Sequence, residues 1–392
     1  MEFHIGGRTG DSGSDIIFSD DDEGQDRCSG KDTAEGRHSR CMSSCSSCSN
    51  SSTDAAGAAF EDAKFNRPWA SLLHLFKPMD EAELIAFVPA DEQAEMKETI
   101  DEVFIPGEVC TGKACKALAQ AFPDLCCGAE LSTKMISLVG LGRRIRRVAP
   151  TKLKFFIEYC SGRGAITRSM LRLKLPSSAY DRKYDSSHDI VSDSGLWSWI
   201  ASALFTSRHG ALWFAPECKT WVWMNRNGNL RSSLDWRGDE SLPEVAEANE
   251  KCIRVIIVLV LASLLDIQWL LEQPRSSLYN YVDFVVRALD VFDCDMISTY
   301  LGCFGAESEK PLKIFSTAPW GIYLQRERPL HKDFVKLVTN KVITNPETGL
   351  AEKKVTGRQK LLSDSEAYPE EFGREVADLF CKHLCDTGFL PP

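Results

Sequence analysis

The chain has 392 residues, 43% of them hydrophobic and 26% charged, and a formal net charge of −10 at pH 7. That length holds either one large domain with attachments or two to three average ones, and the composition is that of an ordinary globular protein. The acidic balance excludes a protein that holds nucleic acid by overall charge alone, while leaving room for a local basic groove.

The charge is unevenly spread, with 11 acids against five bases in residues 1–60. This segment is rich in Ser, Gly, Asp and Cys, and it has few large apolar side chains to offset chain entropy. It is expected to be a disordered acidic tail. Ser19, followed by Asp20-Asp21-Asp22-Glu23, suits an acid-directed kinase. Cys28, His38, Cys41, Cys45 and Cys48 lack the two separated pairs of a structural zinc site, so no metal is assigned. The chain's 15 cysteines show no regular framework and no signal-peptide pattern precedes them. Reduced thiols and an intracellular setting, nuclear or cytoplasmic, are the expectation.

Residues 61–148 read as a helical lead-in. Apolar residues recur at helical spacing around Trp69–Phe76, Asp80–Val88, Ala94–Phe104 and Gly112–Phe122, punctuated by Pro78, Pro89, Pro106 and Pro123. The cluster Gly142-Arg143-Arg144-Ile145-Arg146-Arg147 is either a phosphate contact or a solvated helix end.

The third region, 149–392, is organised around Lys154–Asp189. Phe155-Phe156-Ile157 is an apolar run ending on Glu158-Tyr159; Cys160-Ser161-Gly162-Arg163-Gly164 turns; Ile166, Met170, Leu171 and Leu173 continue with helical period. This is a strand, a glycine turn and a helix. A second apolar-to-acidic step, Ala179-Tyr180-Asp181, follows 23 positions after Glu158, where an acid can bind a ribose. Strands are further expected at Ala211–Ala215, Ile267–Leu271 and Leu312–Ser316, and helices at Trp197–Phe205, Glu244–Leu265 and Val282–Val291. Strands separated by helices imply an α/β domain with a mostly parallel sheet covered on both faces. Val255–Leu265 is the longest apolar run and is too short to cross a bilayer, so no membrane is implicated.

The strand ends carry the reactive residues: Glu158 on the first, Asp181 on the second, Pro216-Glu217-Cys218 and Glu272-Gln273-Pro274 on the later ones. In this order the pieces resemble the class I S-adenosylmethionine-dependent methyltransferases, and among them the DNA cytosine-5 methyltransferases, over about residues 150–385. The resemblance implies a Rossmann-like fold and S-adenosylmethionine as cofactor. Glu158, Gly162 and Gly164 would hold its methionine part, Asp181 its ribose, Asp189-Ile190 would lie near its adenine, and Tyr159 is a further cofactor-binding residue. Pro216-Glu217-Cys218 matches the Pro-Cys loop, making Cys218 the nucleophile; Glu272 would be the acid that protonates the base. Arg275 or Arg226 would hold a phosphate beside it. Phe304-Gly305 and Lys310–Ser316 match a Tyr-Gly turn and a basic strand, and Tyr368-Pro369 with Glu370–Phe380 matches a closing helix.

The family has proline immediately before its nucleophile. Glu217 stands there instead, and its charge is expected to oppose thiolate formation. Trp213, Trp221, Trp223 and Trp236 flank the loop and either stack on a base or build core. Nucleic acid is the partner implied by the resemblance. The other function class that these residues allow is a non-catalytic methyltransferase-like binding module, of the sort a mobile element carries.

Overall fold

The computed structural model describes residues 16–18, 129–330, 333–344, 351–357, 361–362 and 365–391. Its strands are β1 (Ile16–Phe18), β2 (Lys154–Tyr159), β3 (Ser177–Tyr180), β4 (Thr206–Phe214), β5 (Gln268–Pro274), β6 (Asp295–Tyr300), β7 (Pro311–Ser316), β8 (Val338–Thr344) and β9 (Ala351–Gly357). The longer helices are α1 (Ala129–Val148), α2 (Ala165–Arg172), α3 (Asp193–Leu204), α4 (Pro243–Leu264), α5 (Asp283–Val291) and α6 (Glu370–Asp386). The chain divides into one unit of Pro68–Thr339 with Gly357–Pro392 and another of Met1–Arg67 with Asn340–Thr356.

The larger unit is a six-stranded α/β sheet in the order β3-β2-β4-β5-β7-β6. Side chains alternate across it. Phe156, Trp213 and Leu270 join the layer of α2 and α6, while Ile157, Tyr159, Phe214 and Leu271 join that of α1, α3, α4 and α5. Burial on both faces explains why the central strands read as continuous apolar runs. Glu158 and Glu272 have the parity of Phe156 and Leu270, so both carboxylates belong to the α2/α6 face.

Strands β3, β2, β4 and β5 pair in parallel. The sheet is mostly parallel, as expected, and the exception is β7, which runs antiparallel between β5 and β6. The link from β6 to β7 is only Leu301–Lys310, shorter than a parallel crossover requires. β6 itself was not foreseen: its first residues, Asp295 and Met296, are exposed, as an edge strand permits. Reversed pairing also extends β5, so Glu272-Gln273-Pro274 is not a strand-end turn. Glu272 stands within the strand opposite Ile314.

In α1, Met135, Leu138, Val139 and Ile145 enter the core. Arg146 of the basic cluster donates to the carbonyls of Thr206 (2.8 Å) and Leu265 (2.6 Å), so it ties α1 to neighbouring backbone rather than facing a phosphate. The apolar run of Val255–Leu265 is buried within α4 and its C-terminal end, as expected. Among the described residues no helix is long and apolar enough to cross a membrane.

The smaller unit contains the sheet β1-β9-β8, with Ile17 opposite Lys354 in an antiparallel pair. Ile16–Phe18 is thus a strand inside the segment expected to be disordered. The rest of that tail, including Ser19 and the Cys28–Cys48 group, lies outside the described residues, as do the helical segments expected between Trp69 and Phe122.

Candidate functional site

Because β3 lies on one side of β2 and β4 on the other, the sheet reverses its winding between β2 and β4. In open α/β sheets ligands bind beyond the carboxyl ends of the strands at that point. The glycine turn occupies it. Cys160, Gly162 and Gly164 all have positive φ, of 54°, 57° and 65°. Two of these three left-handed positions are filled by the residue that adopts them without steric cost, and Gly164 serves as the N-cap of α2. A β-carbon built on Gly162 would meet nothing within 4 Å, so this peptide faces open space.

Asp181 follows β3 and is nearly buried. Its Oδ2 accepts the Gly162 amide at 2.8 Å and its Oδ1 accepts the Lys183 amide at 2.9 Å. Each carboxylate oxygen has a second lone-pair direction left for a hydroxyl donor. Glu158 is fully buried beneath the turn; its Oε2 accepts from the amide (2.8 Å) and hydroxyl (2.7 Å) of Thr167 in the first turn of α2. Burial pushes its pKa up to about 7, against the pull of those hydrogen bonds. Glu158 Oε1 and Ser161 Oγ are buried with no hydrogen-bond partner. Tyr184 crosses the turn with its hydroxyl on the Gly162 carbonyl at 2.9 Å.

The structure does not bring every expected cofactor residue to this place. The Tyr159 ring stacks on Trp199 and Phe214 in the core, and its hydroxyl bonds to Ser202 and the Trp199 carbonyl. Strand alternation sends it to the face opposite Glu158, which excludes its side chain from the turn. Ile190 is buried in the same core, and its carbonyl accepts from Arg254. Asp189 caps its own loop through the Val191 amide, after a short helical turn at Ser186–His188.

The second half of the rim follows β4 and β5. The Cys218 carbonyl accepts the amides of Trp221 and Val222, which closes a tight turn. Gln273 donates to the Pro216 carbonyl at 2.9 Å and accepts from Ser277, pinning the Cys218 loop to the end of β5. The half-buried Cys218 thiol is pushed up to about 11, first by desolvation; Lys310 acts to lower it and Glu272 to raise it. Glu272 is itself raised by burial. Its Oε2 accepts from Tyr368 Oη at 2.9 Å, and Tyr368 Oη in turn accepts from Trp213 Nε1 at 3.2 Å. Lys310 Nζ is held by the Ser365 carbonyl at 2.6 Å.

The expectation for Glu217 is overturned. Its carboxylate turns to Arg182 (3.1 Å) and Lys251 (3.4 Å), and the carboxylates that oppose the Cys218 thiolate are Glu272 first and then Glu366. Arg182 directly follows Asp181, so this pair joins the two halves of the rim.

No family model, curated protein or solved structure matches this chain. The site is therefore read on its own geometry. Arg275 is exposed beside it, with its guanidinium on Tyr300 Oη at 2.9 Å. Arg226 begins a single helical turn, Arg226–Asn229. Trp213, Trp221 and Trp236 are core residues, while Trp223 is 38% exposed. Arg231 lies 3.7 Å from the Trp221 ring centre and bonds to Asn249 and the carbonyls of Trp236 and Val245.

Sequence reasoning passed over Thr167, Arg182, Lys251 and Tyr368 as site residues. Thr167 was the most accessible of them, because a threonine at the third position of a helix beginning at a glycine turn faces back to the preceding strand end.

Proposed function

We propose that the chain is an S-adenosylmethionine-dependent methyltransferase-type protein whose substrate is cytosine in nucleic acid. The observation that carries the cofactor half is the convergence of Gly162, Gly164, Glu158 and Asp181 at the reversal of the sheet. The residues fit the group: an open approach at Gly162, spare acceptor directions on Asp181, and an unpartnered buried Glu158 Oε1. Asp181 would take the ribose hydroxyls and Glu158 the ammonium of the methionine part, while Tyr184 would have to leave the Gly162 carbonyl. S-adenosylmethionine supplies an electrophilic methyl group when bound.

Carbon 5 of cytosine is a weak nucleophile, and the rim beyond β4 and β5 suits its activation. Cys218 would add to the neighbouring ring carbon while Glu272 gives a proton to the ring nitrogen. That second role needs a carboxyl group that is neutral near pH 7, and the burial of Glu272 acts in this direction. Arg275 would hold a phosphate beside the extruded base.

One observation favours the second reading, a non-catalytic binding module. With the Cys218 thiol at about 11, roughly one molecule in ten thousand carries the thiolate at pH 7. Lys310, whose charge already acts toward the thiolate, is the group that must do more once substrate displaces water.

Titration calorimetry with S-adenosylmethionine tests the cofactor half: the wild type is expected to bind and Asp181→Ala to lose binding. Silence from the wild type sinks the proposal. If the cofactor binds, an oligonucleotide containing 5-fluorocytosine is expected to form a covalent adduct that Cys218→Ser abolishes. Cofactor binding without an adduct leaves the non-catalytic module.

A further inference from the structure

Residues 218–234 contain Lys219, Arg226 and Arg231 and no acid; residues 273–282 contain Arg275 and no acid. In a chain with 56 acids and net charge −10, these are two acid-free stretches, bounded by Glu217 and Asp235 and by Glu272 and Asp283. They lie together. The Trp223 amide donates to the Ser276 carbonyl at 3.1 Å, the Leu278 amide to the Trp221 carbonyl at 2.7 Å, and Val222 bridges Ser277.

The rim also carries two partly exposed aromatic side chains. Trp223 is 38% and Tyr281 52% exposed, unlike the neighbouring Trp221 and Trp236, which fill core. Lys219 and Arg275, in the same two stretches, are exposed as well. Arg231 adds a positive charge beneath the loop, with no carboxylate among its hydrogen-bond partners.

We infer that this rim is a platform for single-stranded nucleic acid, with bases stacking on Trp223 and Tyr281 and phosphates meeting Lys219 and Arg275. Aromatic rings interleaved with cations recognise unpaired bases, whose faces are accessible, whereas a duplex hides those faces. The platform opens at Cys218 and at Gln273, the residue after Glu272, so a strand lying on it delivers a base to the proposed site without first being unpaired. The inference rests on the nucleic-acid half of the proposed function and narrows it to single strands.

Fluorescence anisotropy with labelled oligonucleotides of about twelve nucleotides, a length within the range such platforms occupy, tests it without cofactor. The probes are single-stranded DNA, single-stranded RNA and the matching DNA duplex. Both single strands are expected to bind more tightly than the duplex. Trp223→Ala and Tyr281→Ala should each weaken single-strand binding about tenfold, with circular dichroism confirming the fold. Arg275→Ala should reduce the slope of log affinity against log salt by about 0.7. Duplex binding as tight as single-strand binding, or aromatic variants that bind like the wild type, would overturn the platform; preference for an acidic peptide over every oligonucleotide would do the same. Calorimetry with S-adenosylmethionine in parallel separates the failures. Cofactor binding without oligonucleotide binding removes the platform alone, and the reverse removes the methyltransferase reading and leaves the platform standing.

Discussion

The two halves of the rim are built by different means. Beyond β2 and β3, the backbone does the work: three positive-φ residues lie within five positions, and both oxygens of Asp181 accept backbone amides. Beyond β4 and β5, none of the described residues from Ala215 to Val222 has positive φ. The loop there is held by the side-chain amides of Gln273, Asn225 and Asn229. Its chemistry comes from burial, which drives Cys218 and Glu272 toward their neutral forms. A turn fixed by backbone conformation is shaped before any ligand arrives, and neutral buried groups suit proton and covalent chemistry. Glu158 is where the two meet, since it sits under the turn yet is governed by burial.

The strongest way to break this comparison is through Glu158. A carboxyl whose folded pKa lies above its unfolded value stabilises the fold below the unfolded pKa and loses that contribution as pH rises through the folded one. For Glu158 the window runs from the ordinary 4.5 to about 7, so deprotonation of the folded protein costs about 3 kcal/mol. Glu158→Gln removes that loss. Urea unfolding at pH 5 and pH 9 is expected to show the variant gaining on the wild type by about that amount at the higher pH. Parallel stability profiles would show that Glu158 is no more protonated in the fold than outside it, and that the turn is backbone alone.

The difference between the halves also explains what was legible in the sequence. Gly162, Gly164, Glu158 and Asp181 are local signals, because a glycine at a strand-to-helix turn and an acid one step past an apolar run announce their conformations. The strand-helix order was legible for the same reason. Tyr159 was misplaced because alternation along β2 puts it on the opposite face from Glu158, a consequence that a motif match overlooks. The antiparallel β7, and with it Glu272 inside a strand, depends on which strands become neighbours. The Glu272–Tyr368 bond joins residues 96 positions apart, so neither the partner nor the raised pKa could be read from either segment.

A smaller effect sharpens the claim that the turn depends on its backbone. Gly162 has φ of 57° with open space where a side chain would lie. Gly162→Ala should therefore cost about 1–2 kcal/mol, from conformation alone. Thermal denaturation of the purified variant measures it. A cost of several kcal/mol would mean that the space is filled by something packed on the turn, and the open approach proposed for a cofactor would not exist.

The smallest expected effect concerns Glu217, and it separates charge from burial at Cys218. Glu217 is half exposed and shared between Arg182 and Lys251, so Glu217→Gln should change stability by less than about 1 kcal/mol. If its charge governed the neighbouring thiol, the same variant would make Cys218 markedly more reactive near neutral pH. Burial, Glu272 and Glu366 are instead the causes of the raised pKa, so the alkylation rate of Cys218, followed by peptide mass mapping across pH, should keep the wild-type midpoint. Glu272→Gln should lower that midpoint, because it removes a carboxylate that opposes the thiolate while leaving a side chain of similar size. A shift with Glu217→Gln and none with Glu272→Gln would reverse the assignment, and the loop after β4 would then be tuned by its own sequence rather than by the strand beside it.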